Sequence, residues 1–340
     1  MQQRYVERKD RETVLQMELR YLAQDEKHLS RELYEVCFPE DTEEFVNYYY
    51  EQKCKDNEIL VLEEHEKVYA MIHLNPFTVS MNQNSCRVHY IVAVATDESC
   101  RRRGYMLELM NQAFHDLYGR KEPFTFLIPA NPDYYYSCGF EYWESQLKLK
   151  QDQGDIWQGQ KVAAAKKEDC RELALFSNEV LGNRFDLYVE KDEAYYQRLI
   201  LEQKSQNGQI VVMRETSREN GRPEGAVSGI FGFDRECGVE IREPIMRTSC
   251  TEYVHPLMMG RIIHLESFCA AMKSREPVEI NTEIRDTMIP ENNGCYRIRI
   301  DENGGRAVRI HSHEPELSMD IAEIGQLLFH KMRIYINEIV

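Results

Sequence analysis

Residues Tyr90 to Leu109 read YIVAVATDESCRRRGYMLEL, and this stretch decides how the rest of the chain is understood. The unbroken apolar run from Tyr90 to Ala95 predicts a buried strand. A polar turn and three arginines follow. From Arg103 to Tyr118, the residues Met106, Leu109, Met110, Ala113, Phe114 and Leu117 recur at spacings of three and four, which predicts an amphipathic helix. A basic turn between a strand and a helix start places open amide donors and the positive end of the macrodipole beside guanidinium groups, an arrangement suited to phosphate oxygens. Gly104 lets the backbone come close to such a ligand. Two readings stand at this point: a solvated basic turn, or an anion site. A dinucleotide fold is disfavoured because GxGxxG is absent.

Upstream, Met17–Leu22 predicts a strand and Ser30–Phe38 a helix, and Glu58–Leu62, Val68–Leu74 and Arg87–Ala95 predict a strand meander. Downstream, Phe124–Ile128 predicts a strand, and the aromatic stretch Tyr134–Trp143 a turn leading into another. The polar, Gly-containing segment 151–160 reads as a linker. A second block then repeats strand and helix order without an Arg-Gly loop: strand 161–165, a helix with Leu173, Phe176, Val180 and Leu181, a Tyr-rich helix 195–201, strand 210–213, and a hairpin tip over 216–225. A third unit from Thr248 predicts an amphipathic helix over Met258–Met272, strands at 278–284, 294–300 and 307–310, a helix over 319–329 and an apolar terminal strand. The expectation is an α+β protein with a polar leader (1–14), a first domain (15–150), a second (151–247) and a third (248–340).

With 340 residues, several domains are expected. The formal charge of −16 argues against nucleic acid or an anionic membrane as partner. No apolar run approaches the roughly 20 residues of a membrane helix, and the charged N-terminus does not read as a secretory signal. The 10 cysteines form no CxxC pair and read as reduced thiols in a cytoplasmic protein. His73, His89, His115, His264, His311 and His313 show no metal-ligand spacing, so no metal is expected.

The strand IVAVAT followed by RRRGYM resembles motif A of the GCN5-related N-acetyltransferases (GNAT), with Arg101 and Gly104 in the motif positions and Met106 where a small residue is usual. FLIPANPDYYYSCGF, residues 126–140, is similar to the last motif of that superfamily, where a tyrosine precedes the Gly-Phe pair by four residues. Tyr135 holds that place. The whole chain resembles the enhanced-intracellular-survival (Eis-like) branch, which joins a catalytic GNAT domain, a degenerate GNAT-like domain and a sterol-carrier-like domain. HPLMMGRIIHLESF (255–268) and the terminal INEIV resemble its third domain.

The resemblance implies acetyl-CoA as acetyl donor. It implies that the backbone of Val92, Ala93 and Val94 pairs with pantetheine and donates to the thioester carbonyl. Arg101, Arg102, Arg103, Gly104, Tyr105, Met106 and Leu107 would surround the pyrophosphate, and Ala130 and Asn131 would line the other side. It further implies Tyr135 as general acid and the C-terminal carboxylate, here on Val340, as base. A buried apolar end is consistent with this, because desolvation makes a carboxylate a better proton acceptor. Tyr134 and Tyr136 read as core aromatics. The acceptor would be a primary amine: aminoglycoside-like, a polyamine or lysine. The alternative is a non-catalytic acyl-CoA or lipid-binding protein, and the branch implies a possible homo-oligomer, a hexamer.

Overall fold

The computed structural model describes residues 4–6, 17–150, 160–218, 222–234, 240–247, 250–310 and 317–337. Most of the expected leader, nearly all of the expected linker and Val340 lie outside the described residues.

The first block contributes β1 (Arg4–Val6), β2 (Met17–Tyr21), α1 (Arg31–Cys37), α2 (Glu43–Gln52), β3 (Glu58–Glu64), β4 (Lys67–Met81), β5 (Asn84–Thr96), α3 (Tyr105–Gly119), β6 (Phe124–Leu127), α4 (Asp133–Tyr136) and β7 (Glu141–Tyr142). Strands β1 to β5 form an antiparallel meander, and β6 pairs parallel to β5. Thus Arg4–Val6, within the stretch expected to be a leader, form an edge strand against Met17–Leu19. Helix α2 escaped the sequence reading. Its start is marked by Thr42, whose side chain accepts from the Phe45 amide, and it buries Phe45, Val46, Tyr48 and Tyr49. Helix α3 follows the expected stripe, with Leu109, Met110, Ala113, Phe114 and Leu117 all fully buried.

The second block contains β8 (Leu147–Lys150), β9 (Gln160–Ala164), α5 (Cys170–Gly182), β10 (Leu187–Val189), α6 (Glu193–Ser205), β11 (Gln209–Glu215), β12 (Val227–Asp234), β13 (Glu240–Met246) and β14 (Cys250–Tyr253). Strands β13, β12, β11 and β9 make an antiparallel sheet in that order, while β8 pairs with β14. Leu173, Phe176, Val180 and Leu181 of α5 pack with Ile210, Val212 and Ile230 from the sheet.

The third block supplies β15 (Met259–Ile262), α7 (Leu265–Ala271), β16 (Val278–Arg285), β17 (Gly294–Ile300), β18 (Gly305–Arg309), β19 (Leu317–Asp320), α8 (Ile321–Phe329) and β20 (Ile334–Tyr335). Its own sheet runs β18, β17, β16, β19. The expected helix over Met258–Met272 is therefore corrected to a strand and a shorter helix. Met258 through Ile263 are all buried, as in a central strand covered on both faces, whereas an amphipathic helix would expose one side. A doubly buried strand and a helix core stripe look alike in a short apolar run.

Strand β15 is inserted between β6 and β7, with Gly260 opposite Phe126 and Met259 opposite both Leu127 and Tyr142. Only glycine fits there. A Cβ on Gly260 would come within 2.0 Å of the Trp143 indole nitrogen. Strand β10 of the second block pairs with β4, and β20 runs parallel to β10. The first sheet thus draws strands from all three blocks. Phe329 of α8 seals the joint, 5.6 Å from Phe124, 5.3 Å from Trp143 and 4.9 Å from Phe268 between ring centroids. Each such ring contributes about 1.5–3 kcal/mol by burial.

Candidate active site

Strand β5 is irregular where the sequence stretch quoted first ends its apolar run. His73 of β4 faces Val92, and Met71 faces Ala95, so three steps along β5 answer two along β4. The extra residue is a bulge, and Ala93 takes a φ of +50°, a left-handed conformation that a side chain adopts at a cost. On the other side, pairing with β6 is limited to His89–Thr125 and Tyr90–Phe126, although β5 continues to Thr96. The two parallel strands part just before the bulge. On the side away from β4, the backbone of Val92, Ala93 and Val94 therefore lies beyond the last pair with β6.

Chain direction carries β5 into the basic turn and α3. Gly104 is the N-cap of α3 with φ +82°, and no side chain caps the helix. Arg102 also has a positive φ, of 63°. Arg102, Arg103 and Gly104 are exposed, Tyr105 and Met106 half-buried, and Leu107 exposed. Arg101 folds back: its Nε donates to the Thr96 carbonyl at 3.3 Å, and its charge moderates the burial-raised pKa of the Cys37 thiol. Without a side-chain acceptor, the first-turn amides of α3 remain available to an anion. Pyrophosphate oxygens fit that arrangement.

Beyond β6, Ala130 is exposed and Asn131 half-buried, with the Asn131 Oδ1 accepting from the Asp133 amide at 3.0 Å. Tyr135 sits in the single turn of α4, 6% exposed, with its ring edge-on to Phe140 at 6.0 Å. Burial first, then the neighbouring Cys138, pushes its phenol up to about 12, so it stays protonated at neutral pH. Tyr134 and Tyr136 are 58% and 42% exposed, which corrects their expected place in the core. A single turn of helix can bury only one of three successive side chains against the same surface.

A cleft opens between the first two blocks, lined by Asn75, Phe77, Tyr195, Glu202, Phe231 and Asn337 among others. Asn75 and Phe77 lie on the same sheet face as His73 and Val92, because residues two apart along a strand share a face. The cleft and the bulge therefore lie on one face of the sheet. His73 is wholly buried with Nδ1 2.9 Å from the Tyr49 hydroxyl, and burial lowers its pKa to about 3. The terminal segment reaches this cleft. Ile334, Tyr335 and Ile336 are buried, and the Ile336 carbonyl accepts from Gln146 Nε2 at 3.3 Å.

Residues 18–143 match the acetyltransferase (GNAT) domain family, and residues 265–335 match the sterol carrier protein domain family. The first block is a GNAT acetyltransferase domain. The protein is accordingly an acetyl-CoA-dependent acyltransferase of the GNAT kind with a sterol-carrier-like C-terminal domain. Its fold is shared across nearly the whole chain by a GCN5-related N-acetyltransferase from Anabaena variabilis, with TM-score 0.72 and 14% identity over 92% of this chain and 90% of that one. A probable N-acyltransferase from Enterococcus faecalis has TM-score 0.69 and 15% identity, covering 92% and 90%. Eis1 from Mycobacterium abscessus has TM-score 0.64 and 11% identity, covering 92% and 89%. No curated protein matches. Among the described residues, no cluster of His, Cys, Asp and Glu could hold a metal ion, and no helix is long and apolar enough to cross a membrane.

In this GNAT domain, the parted strands, the bulge and the open start of α3 succeed one another along the chain. Sequence spacing located the strand and the loop. It did not reveal the bulge, since nothing in VAV distinguishes a left-handed alanine from an extended one. It also missed β15, although an arginine and a glycine inside the apolar run MMGRII were a signal that this was no ordinary helix face.

Proposed function

We propose that the protein transfers the acetyl group of acetyl-CoA to a primary amine by direct attack. The observation that carries this reading is the Ala93 bulge at the point where β5 and β6 part, beside the uncapped start of α3. Amides of the Val92–Val94 backbone bind pantetheine and donate to the thioester carbonyl, which polarises it. Arg102, Arg103 and the first-turn amides of α3 hold the pyrophosphate, Arg101 supports the turn, and Ala130 and Asn131 form the opposite wall. The amine, an aminoglycoside, a polyamine or a lysine side chain, approaches through the cleft bordered by Asn75 and Phe77. As its nitrogen bonds to the carbonyl carbon and the carbon–sulfur bond breaks, Tyr135 gives its phenol proton to the sulfur. The α-carboxylate of Val340 takes the proton that the amine loses.

Support for the last role comes from the buried strand that ends beside this cleft, where Asn337 forms part of the lining. The three residues that follow span at most about 10 Å. The third block reads as a support rather than a lipid carrier. Its sheet interior is filled by Tyr296, Ile298 and Ile300 against Phe268, Cys269 and Leu328, all buried. Gly305 lies so close to α7 that a Cβ would come 2.3 Å from the Cys269 carbonyl oxygen.

Release of thiol from acetyl-CoA, measured with kanamycin, spermidine and Nα-acetyl-lysine, tests the activity. Tyr135→Phe is expected to lower kcat by about 100-fold or more while leaving the Kd for acetyl-CoA unchanged. An unaffected kcat removes Tyr135 as the acid, and no release with any amine removes the transferase reading. Appending two glycines after Val340 is expected to lower kcat by a similar factor with folding intact. Undiminished turnover there transfers the base role to another group.

A further inference from the structure

The turn that carries Tyr135 is held from outside its own block. Within the turn, the Tyr135 carbonyl accepts from the Cys138 and Phe140 amides at 2.9 and 3.3 Å, and the Gly139 amide donates to the Tyr136 carbonyl at 2.9 Å. Gly139 has φ +78°, and a Cβ there would come 2.9 Å from Ile321 Cγ2 and 3.2 Å from Arg261 Nη1. Both neighbours belong to the third block, Arg261 on β15 and Ile321 at the start of α8.

Arg261 is 1% exposed. Its Nη2 donates to Asp286 Oδ1 at 2.7 Å, and its guanidinium carbon lies 4.6 Å from the centre of the Phe114 ring. Phe114 packs against Phe140 at 5.9 Å, and Phe140 against Tyr135 at 6.0 Å. Asp286 is itself anchored: its Oδ1 accepts from the Met288 and Ile289 amides at 3.0 Å each, and its Oδ2 from Asn292 Nδ2 at 3.0 Å. A planar cation fixed at its far end thus stands against the space that a side chain at Gly139 would fill, and it reaches Tyr135 through two rings.

A buried ion pair contributes little net stability, because desolvation offsets the attraction, and apolar side chains of similar volume often do as well. A guanidinium held by Asp286 and laid over the Phe114 ring is, however, fixed in direction as well as in volume, which apolar filling is not. We propose that Arg261, oriented by Asp286, is a positioning residue that fixes the phenol of Tyr135 relative to the Val92–Val94 backbone. This rests on the proposed role of Tyr135 as proton donor. It makes the third block part of the transfer apparatus as well as its support.

The test uses the full chain, acetyl-CoA and whichever of kanamycin, spermidine or Nα-acetyl-lysine gives the fastest thiol release. Arg261→Lys keeps the charge and the pairing with Asp286 but loses the planar fork. The expected result is a kcat about 10-fold to 100-fold lower, the loss that a misplacement of about an ångström produces, with the Kd for acetyl-CoA unchanged. In a Tyr135→Phe background the same substitution is expected to change kcat less than about twofold, because a residue acting through Tyr135 has nothing left to position. Asp286→Asn, scored on the same criteria, serves if Arg261→Lys does not fold. An unchanged kcat, an equal loss in both backgrounds, or failure of both variants to fold overturns the proposal. Should Tyr135→Phe alone keep full kcat, it is the proton-donor reading that falls. A full loss in Tyr135→Phe with additive Arg261→Lys leaves that reading intact and removes only the positioning role.

Discussion

Helices α3 and α5 both follow a charged turn, yet the turns end differently. Before α3 stand three arginines and a left-handed glycine, with no side chain capping the helix. Before α5, the Lys166 amide donates to Asp169 Oδ2 at 2.8 Å, and Arg214 binds Asp169 and Glu172, each at 2.7 Å. Helix α5 likewise has no side-chain cap hydrogen bond, but Asp169 at its N-cap and Glu172 in its first turn place carboxylate charge of its own chain at the positive end of the dipole. The strands differ as well. Strand β5 leads into α3 after it has parted from β6, whereas β9, which leads to α5, pairs with β11 along its whole length. A helix start suits an anion where the residues before it are cationic and the strand that delivers it has parted from a neighbour.

The sharpest way to break this comparison is Gly104→Val. A β-branched residue at φ +82° is expected to weaken acetyl-CoA binding by roughly 30-fold, from about 2 kcal/mol of backbone strain in the first turn. Asp169→Ala, at the start of α5, is expected to leave that Kd unchanged, as calorimetry would show. Equal effects at both helices would erase the distinction. Replacing Arg102 and Arg103 together by glutamine is expected to raise the Kd about fivefold at low salt, and less as ionic strength rises, since exposed charges are screened. An effect independent of salt would mean that shape, and not charge, is what the arginines supply.

The smallest effect concerns pH. Burial raises the phenol pKa of Tyr34, Tyr49, Tyr50 and Tyr135, all in the first block, and that of Tyr135 reaches about 12. An unfolded chain ionises near pH 10, so above that value it releases protons that the native state keeps, and stability falls. Buried thiols act with the same sign from lower pH, since those of Cys54 and Cys269 are pushed up to about 12 while unfolded thiols ionise near 8.5; the melting temperature is therefore expected to begin falling above about pH 8.5 and to drop by several degrees by about pH 11. A flat profile to that pH would mean that these phenols are accessible to solvent.

Much of the site was legible because its chemistry is local. The strand from Tyr90, the arginines, Gly104 and the apolar stripe of α3 are contiguous, and periodicity reports contiguous structure well. Tyr135 was singled out by the resemblance to the superfamily's last motif, in which a tyrosine stands four residues before the Gly-Phe pair. The rest depends on contacts between residues distant in sequence. Thr42 and its helix stood among acids that masked the inward Phe45 and Tyr49. The apolar run at Met258 fitted a helix stripe equally well until its partners Phe126 and Tyr142 were known. Arg261 and Asp286, 25 positions apart, announce nothing singly. The fate of Tyr134 and Tyr136 turned on which side of one helical turn met the core.

The insertion of Met259–Ile262 between two strands of the acetyltransferase sheet has a consequence for biosynthesis. A ribosome that has just completed Leu127 must add another 135 residues before Ile262, the last residue of the missing strand, is made. At cellular rates of about 5–20 residues per second, that interval lasts roughly 7–27 s. Throughout it the nascent polypeptide carries an open, aromatic-rich margin at Phe124 and Phe126, the kind of surface that folding helpers shield and neighbouring copies exploit. Maturation of the enzyme is therefore timed by the arrival of its last third.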